Sequence, residues 1–274
     1  MLTMNTRVPL SQEDVNNYHE EGFLIPDLAL PNDVLARIQN SYSEIGKVDN
    51  IVDHDHVLAP HVGNHAGNGV PPHLARDWLE YAHHPLILDV LEQLIGPDIL
   101  LWSSVLFGKP AHTGKRVPWH QDAPYWPIRP MAACTVWIAI DDSTRENGCL
   151  EVVSGSHKSQ REQEHSAAVS DEDLLDRAMD ETDINEDDIR FLELKAGQFS
   201  VHDAFLVHGS DPNRTDHRRA GLTLRFMPGT SVYDRSIAGE LAEDEKEAFE
   251  TSARPVFLCR GADRTGRNTN IICI

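Results

Sequence analysis

The stretch "ILLWSSVLFGKP", residues 99–110, marks the point at which the periodicity of the chain changes. It is a short apolar run that ends in Gly, Lys and Pro, a pattern typical of a β-strand followed by a turn. Further runs of this kind follow at residues 132–142, 148–155, 191–197, 198–210 and 220–228. Several short strands separated by turn residues predict a β-sandwich or β-barrel core.

Upstream of this β-rich part, the sequence has the signals of helices. Ser11 is a candidate N-cap, Asp14 completes a capping box, and Gly22 is a stop signal, so a helix is predicted between them. Apolar residues at helical spacing predict two more helices, at residues 30–46 and 85–96.

Between the second and third predicted helices lies a segment, residues 49–73, that is rich in His, Gly, Pro and Asn. It has no sustained period and predicts a long loop. Neither an internal repeat nor a linker interrupts the chain, so we expect one domain. That domain spans residues 1–274, with a mostly helical part at 1–98, a β-rich core at 99–230 and a C-terminal extension at 231–274.

The composition excludes some partners. The formal net charge is -20, and phosphate binding needs a dense basic face, so no nucleic acid partner is expected. No run approaches the roughly 18–20 apolar residues of a membrane span, and the first residues lack the apolar part of a secretory signal. The four cysteines have neither CxxC spacing nor disulfide density. We therefore expect a cytoplasmic protein with reduced thiols, of unknown oligomeric state.

A histidine and an aspartate stand two residues apart in "PWHQDAPYWP". If the segment is extended, His120 and Asp122 share a face, and an imidazole with a carboxylate suits a first-row divalent metal. His208, at the end of the run 198–210, would complete a set of two histidines and one carboxylate, as in non-heme Fe(II) oxygenases. His202 would share a face with His208 if that strand continued, so periodicity does not exclude it.

An arginine follows His208 after 11 residues and opens the next strand. It alternates, together with Gly221 and Thr223, with the apolar Leu222 and Leu224, which indicates that a strand begins at Arg219. A buried arginine is costly unless it meets an anion, and its planar fork suits a carboxylate. Together with a metal site, it implies a dicarboxylate cosubstrate that chelates the metal. The alternative is a surface arginine beside Arg218.

Three segments, in this order, carry a family resemblance: "WHQD", "TVWIAIDDSTRENGCLEVVSGSHK" and "HGSDPNRTDHRRAGLTLRF". Together they resemble the phytanoyl-CoA dioxygenase family of Fe(II)/2-oxoglutarate-dependent oxygenases, and among these its bacterial small-molecule hydroxylases. The resemblance covers roughly residues 11–228. It implies a mainly β fold, a double-stranded β-helix (a cupin-like jelly roll), with helices buttressing one sheet. It also implies that His120, Asp122 and His208 bind the iron.

The resemblance also assigns residues to 2-oxoglutarate. Arg219 stands at the family's distance past the second histidine and precedes Phe226 by the family's interval, which implies that it binds the distal carboxylate. Ser210 matches a position that hydrogen-bonds the same carboxylate. Trp137 matches a tryptophan that lines the pocket, although a core aromatic is the alternative, and Lys109 matches a lysine ahead of the HxD segment.

The activity implied by the resemblance uses Fe(II), with 2-oxoglutarate and O2 as cosubstrates. A substrate C–H bond is oxidised while 2-oxoglutarate is converted to succinate and CO2. Relatives that halogenate have a small residue in place of the carboxylate ligand. Because Asp122 is present, we expect hydroxylation.

Residues beside the HxD segment and in the His-rich loop are candidates for substrate binding. Aromatic rings near acids suit an ammonium group, and an arginine could take a phosphonate or carboxylate. The substrate expected is therefore a small zwitterion, such as an ectoine-like compound, an amino acid or an aminophosphonate. The alternative is rim packing and solvated loop residues. The candidates are Tyr125, Trp126, Arg129, Asn64, His65 and Asn68.

Three other functions stay open. An acyl-CoA hydroxylase of the same family would need a basic patch for the CoA phosphates, and the sequence offers little beyond Lys115 and Arg116. A metal-dependent hydrolase or isomerase on a jelly roll would use the same three ligands but would have no use for Arg219. A non-catalytic binding protein would have kept the fold and lost turnover, against which the intact ligand set argues.

Overall fold

A computed structural model describes residues 9–49, 56–61, 72–167, 170, 172–175, 177–242 and 251–273. Two β-sheets enclose a cavity, and helices pack on the outer face of the larger sheet. This is the predicted jelly roll, a mainly β fold with buttressing helices. None of the described helices combines the length and the apolar character that crossing a membrane requires.

The larger sheet has eight strands and is antiparallel except at one edge. In spatial order it contains β1 (Phe23–Leu24), β11 (Phe199–Asp203), β6 (Cys134–Ala139), β13 (Arg219–Pro228), β3 (Ile99–Lys109), β15 (Val256–Arg260) and β16 (Ile271–Cys273), while β2 (His56–Leu58) also pairs with β3. Strand β15 shows that the predicted C-terminal extension contributes to this sheet, since it pairs antiparallel with β3.

The smaller sheet has four strands: β10 (Ile189–Leu192), β7 (Leu150–Val153), β12 (His208–Ser210) and β4 (Val117–His120). Two further pairs stand apart from both sheets. They are β5 (Ile128–Arg129) with β14 (Val232–Tyr233), and β8 (His165–Ala167) with β9 (Arg177–Met179). The second pair lies next to β4, so it covers the smaller sheet where the HxD segment ends.

The helices are α1 (Gln12–Glu21), α2 (Asn32–Asp49), α3 (Pro72–Ala82), α4 (Pro85–Ile95) and α5 (Arg235–Glu240). The predicted capping box is present at α1, where Ser11 and Asp14 each accept a hydrogen bond from the other's backbone N–H. Gly22 ends that helix with φ 84°, a left-handed conformation that favours glycine.

One hydrophobic core joins the helices to the larger sheet. Ile38 of α2, Trp78 of α3 and Ile87 of α4 are fully buried and belong to the same cluster as Leu101 of β3 and Val136 of β6. The helices therefore pack against the outer face of this sheet, and the cavity lies on its inner face. Burial of apolar area is the term that fixes this arrangement.

Two elements differ from the sequence-based expectation. The segment predicted as a loop over residues 49–73 contains strand β2, and helix α3, which begins at its end, was not predicted. The run 198–210 is two strands in different sheets. Asp203 ends the first of them, because its carboxylate accepts the Phe205 N–H at 2.8 Å and turns the chain.

Candidate active site

The three predicted metal ligands meet at the edge of the smaller sheet. His120 ends β4 and lies directly opposite His208 of the neighbouring β12. Asp122 follows two residues after the end of β4. The ligand atoms of the three side chains all lie within 4.8 Å of one another, and all three residues are buried. Two imidazoles and one carboxylate at this spacing can hold a divalent metal ion with coordination positions to spare.

The predicted convergence of His120 and Asp122 arises from a turn. The sequence argument assumed an extended segment, but Asp122 has φ -76° and ψ -36°, a helical conformation. A short 3-10 helix, Ala123–Tyr125, begins directly after it. With this turn, the carboxylate lies beside the two histidines.

Backbone carbonyls orient both ligand histidines. Nδ1 of His120 is 2.9 Å from the Pro118 carbonyl oxygen, and Nδ1 of His208 is 2.9 Å from the Leu206 carbonyl oxygen. A carbonyl only accepts, so each Nδ1 carries the proton and donates. Each Nε2 then keeps its lone pair for a metal ion, which is the usual arrangement of metal-binding histidines.

Burial and neighbouring charges set the protonation of His120 and Asp122. Burial lowers the pKa of His120 to about 3, assisted by the nearby His208, so the imidazole is neutral at physiological pH. Burial alone would raise the pKa of Asp122, but Arg225 and the surrounding histidines outweigh it and lower that pKa. A neutral imidazole and an ionised carboxylate are the forms that bind metal.

His202, the competing histidine, belongs to the opposite sheet. Its ring centre lies 4.9 Å from that of His208, although β11 and β12 are in different sheets. It is buried, and neither ring nitrogen has a hydrogen-bond partner among the described residues. It is not part of the group whose ligand atoms converge within 4.8 Å. The structure thus brings it to the cavity without including it in the triad.

Two cations lie beside the hydroxyl of Ser210, a residue that lines the cavity. Nζ of Lys109 donates to the Ser210 hydroxyl at 2.6 Å, and Nη2 of Arg219 lies 3.3 Å from the same oxygen. Lys109 and Arg219 are paired residues of β3 and β13, and both are buried. Arg219 also donates to the Gly148 carbonyl and lies over the Trp137 ring, with the guanidinium carbon 5.4 Å from the ring centre. Two buried cations around one hydroxyl form a receptor for an anion.

Gly221 leaves space for the indole ring of Trp137. It lies on β13 two residues after Arg219, and a Cβ atom there would fall 2.1 Å from the Trp137 ring. The ring therefore approaches the backbone of this strand closely, and it forms part of the cavity wall. A wider surface cleft of about 790 Å³, beside Asp141 and Arg218, contains none of the three metal ligands.

The predicted substrate residues are scattered. Trp126 is buried and packs edge-on against Trp102, whereas Tyr125 is exposed and lies against His165. Arg129 is exposed, and its guanidinium donates to backbone carbonyls of residues 126 and 128, so it does not line the cavity. Asn64, His65 and Asn68 lie outside the described residues.

Sequence reasoning did not single out Arg225, which lines the cavity beside the triad. Its Nη2 atom is 3.6 Å from Oδ1 of Asp122, and the Thr135 hydroxyl is 3.4 Å from Oδ2 of the same carboxylate. The signal was present in the sequence. Arg219 and Arg225 are six residues apart on one strand, so the alternation that directs the first side chain inward also directs the second.

Comparison with known proteins gives one family. A family model described as phytanoyl-CoA dioxygenase (PhyH) matches residues 18–221. A probable phytanoyl-CoA dioxygenase of Caenorhabditis elegans is 32% identical over 192 residues, which cover 67% of this chain and 61% of the relative. A probable alpha-ketoglutarate-dependent hypophosphite dioxygenase of Stutzerimonas stutzeri is 29% identical over 57% of this chain and 54% of its own length.

The alignments thus span between about half and three fifths of these two relatives. Among solved structures, the apo form of ThoJ, a non-heme monooxygenase, superposes with a TM-score of 0.60 at 28% identity. That superposition covers 79% of this chain and 78% of the other. The similarity supports the jelly-roll fold.

Proposed function

The chain belongs to the phytanoyl-CoA dioxygenase family of Fe(II)/2-oxoglutarate-dependent oxygenases, and from this premise we propose that it hydroxylates an unactivated C–H bond of a small polar metabolite. The observation that carries the proposal is that one cavity is lined by a metal-binding triad and, apart from it, by Arg219 and Ser210, whose hydroxyl also accepts a hydrogen bond from the buried Lys109. A hydrolase or isomerase would need the triad alone.

His120, Asp122 and His208 would hold the iron. Two imidazoles and one carboxylate are the donor set that non-heme Fe(II) oxygenases use, and the histidines offer Nε2 already oriented by backbone carbonyls. Iron bound there would supply the oxidising chemistry, with O2 and 2-oxoglutarate consumed and succinate and CO2 released. One oxygen atom goes to the substrate carbon and the other to succinate.

Arg219, Ser210 and Lys109 would bind the distal carboxylate of 2-oxoglutarate. The Ser210 hydroxyl and the Arg219 fork present donors at one place, and Lys109 adds charge behind them. Trp137 would wall the cosubstrate on one side. A dianion offsets the cost of burying two cations so close together. These residues orient the cosubstrate, while the buried surroundings exclude water.

Hydroxylation is favoured over halogenation by Asp122. Its carboxylate converges with the two histidines, so the ligand position that a halide would need is taken. For the substrate, a polar metabolite fits better than a long acyl chain. Among the described residues, neither ring nitrogen of His202 nor Nε of Arg225 has a hydrogen-bond partner, and both side chains line the cavity. An apolar chain would leave these atoms unsatisfied.

The test is spectroscopic. Fe(II) and 2-oxoglutarate added together under anaerobic conditions should give a weak visible charge-transfer band, because the keto acid chelates the iron. Succinate in place of 2-oxoglutarate is the matched control and should give no band, since it lacks the keto group. A well-folded protein that shows no band with 2-oxoglutarate would disprove the assignment.

A further inference from the structure

A row of polar side chains crosses the inner face of the larger sheet, opposite the metal triad. His202 of β11 pairs with Thr135 of β6, Thr135 pairs with Arg225 of β13, and Arg225 pairs with Ser103 of β3. Directly paired residues of antiparallel strands share a face, so these four side chains, the polar row, point to one side. Their contacts with Asp122 and His208 show that this side is the cavity.

Arg225 is the only charged member of the polar row. Its guanidinium carbon lies 5.8 Å from the ring centre of Trp102 and 5.1 Å from that of Trp126. Its one ion pair among the described residues, to Asp122, is long at 3.6 Å. Nε has no hydrogen-bond partner among the described residues. Two aromatic faces thus support the guanidinium while its hydrogen-bonding capacity stays largely unused.

The charge of Arg225 is poorly compensated. Among the described residues, the one opposite charge paired with its guanidinium is that of Asp122, at 3.6 Å. If Asp122 binds a metal ion, its negative charge is shared with that ion. The guanidinium, with its side chain only 19% exposed, then lacks a full counter-charge, a costly arrangement that an anion would relieve.

We propose that Arg225 binds an oxyanionic group of the substrate, of the carboxylate or phosphonate class, and thereby fixes which carbon faces the metal site. The inference rests on the proposed function, since it assigns a substrate group to the same cavity. It replaces Arg129 as the arginine for this task, because the Arg129 guanidinium is turned to backbone carbonyls outside the cavity.

The test compares charged and neutral probes of similar size. The full chain is loaded anaerobically with Fe(II) and saturating 2-oxoglutarate and is titrated with propionate, methylphosphonate or propionamide in a calorimeter. Saturating 2-oxoglutarate keeps the probes away from Arg219 and Lys109. The wild type should bind at least one of the two anions about tenfold or more tightly than the amide, because a buried arginine gains most from a charged acceptor. Which anion binds identifies the oxyanion class.

Three variants make the assignment specific. Arg225→Gln should lose the preference for the anion, while Arg129→Gln should keep the wild-type affinities. Arg225→Lys keeps the charge but lacks the planar fork, so it should retain the preference with weaker binding. Thermal unfolding shows whether Arg225→Gln folds. If it does not, Arg225→Lys replaces it as the test variant.

Two results would overturn the inference. One is a wild type that binds the amide as tightly as both anions. The other is an anion affinity that does not change in Arg225→Gln, as would happen if the anions bound the iron directly. If that variant also lost iron, the role of Arg225 would be to hold Asp122 in place. The charge-transfer band of the wild type reports separately on the proposed function. The calorimetric signal does not depend on that band, so either claim can fail alone.

Discussion

On the smaller sheet, His120 and His208 each have one ring nitrogen hydrogen-bonded to a backbone carbonyl, whereas on the larger sheet neither ring nitrogen of His202 has a partner within the described part of the chain. The same contrast separates the charged groups. Arg219 donates to a carbonyl and lies near a hydroxyl, while Nε of Arg225 donates to nothing among the described residues. All five side chains line one cavity.

The first kind of side chain is oriented by the protein before a ligand binds. The second kind gains a hydrogen-bond partner only when a ligand binds. A side chain held by the backbone has already lost its rotamer freedom, so it can bind a small ion or cosubstrate with little further cost. A buried group without a partner destabilises the fold until something polar reaches it. We therefore assign the oriented groups to iron and 2-oxoglutarate, and the unpartnered ones to the substrate.

The largest effect is expected from the two histidines whose ring centres are 4.9 Å apart. His208→Ala should lower iron affinity by more than about a hundredfold, since even the outer partners of metal ligands are worth roughly 10–100-fold. His202→Ala should change it by less than about threefold, because that ring supplies no bond to the metal. Anaerobic iron titration, followed by the charge-transfer band, measures both.

The contrast between these two variants is itself the control. Both remove a buried imidazole from the same cavity, so a general loss of packing would affect them alike. Equal losses of iron would mean that the oriented and unpartnered histidines do not differ in function. The reverse order would make His202 the ligand.

A smaller effect is expected from the two adjacent arginines that open β13. Arg219→Gln should raise the Kd for 2-oxoglutarate about 30-fold or more, because it removes one partner of a buried charge pair. Arg218 instead pairs with Asp141 near the surface, at 2.9 Å and with side chains 33% and 22% exposed. Arg218→Gln should leave that Kd within about threefold, since Arg218 lines the separate surface cleft and not the cavity.

Calorimetry under anaerobic conditions, with Fe(II) present, gives both dissociation constants. Thermal unfolding shows whether Arg219→Gln, which also loses its bond to Gly148, remains folded. Comparable losses in the two variants would place the cosubstrate in the surface cleft beside Arg218 and Asp141 and away from the cavity.

The sequence was sufficient for the groups that form local, chemically rare patterns. The HxD pair, the histidine at the strand end and the arginine 11 residues later identified the family and the jelly roll, and both predictions are confirmed. The prediction of iron and 2-oxoglutarate is confirmed at the level of the family. His202 could not be separated from His208 by periodicity, because a turn at Asp203 sends the two residues into different sheets.

The substrate side could not be predicted in the same way, because it depends on register between distant strands. Thr135 and Arg225 lie 90 residues apart in the sequence and are neighbours only through the pairing of β6 with β13. Arg129 was a candidate for substrate binding because it closely follows the HxD segment in the sequence. It lies instead on β5, which pairs with β14 of the C-terminal part and leaves the guanidinium outside the cavity.

The smallest effect concerns the stability of the metal-free protein. His202→Phe removes two unpartnered polar atoms from a buried site, so it should raise the free energy of unfolding at pH 7 by about 1–2 kcal/mol. His61→Phe is the matched control. His61 is also buried, but its Nδ1 is 2.8 Å from the Ser104 hydroxyl, so that replacement loses a hydrogen bond and should gain less. Chemical denaturation of the three proteins measures the difference.

The pH dependence sharpens this last comparison. Burial lowers the pKa of His202 to about 3, and that of His61 to about 3, whereas an unfolded histidine titrates near about 6.5. Between these values the unfolded state binds the extra proton. Each histidine therefore makes the wild type less stable as the pH falls, by up to about 1.4 kcal/mol per pH unit. The advantage of His202→Phe should thus grow from pH 7 to pH 4. An advantage that stays constant over that range would mean that His202 is protonated in the folded protein, with a partner that offsets its burial.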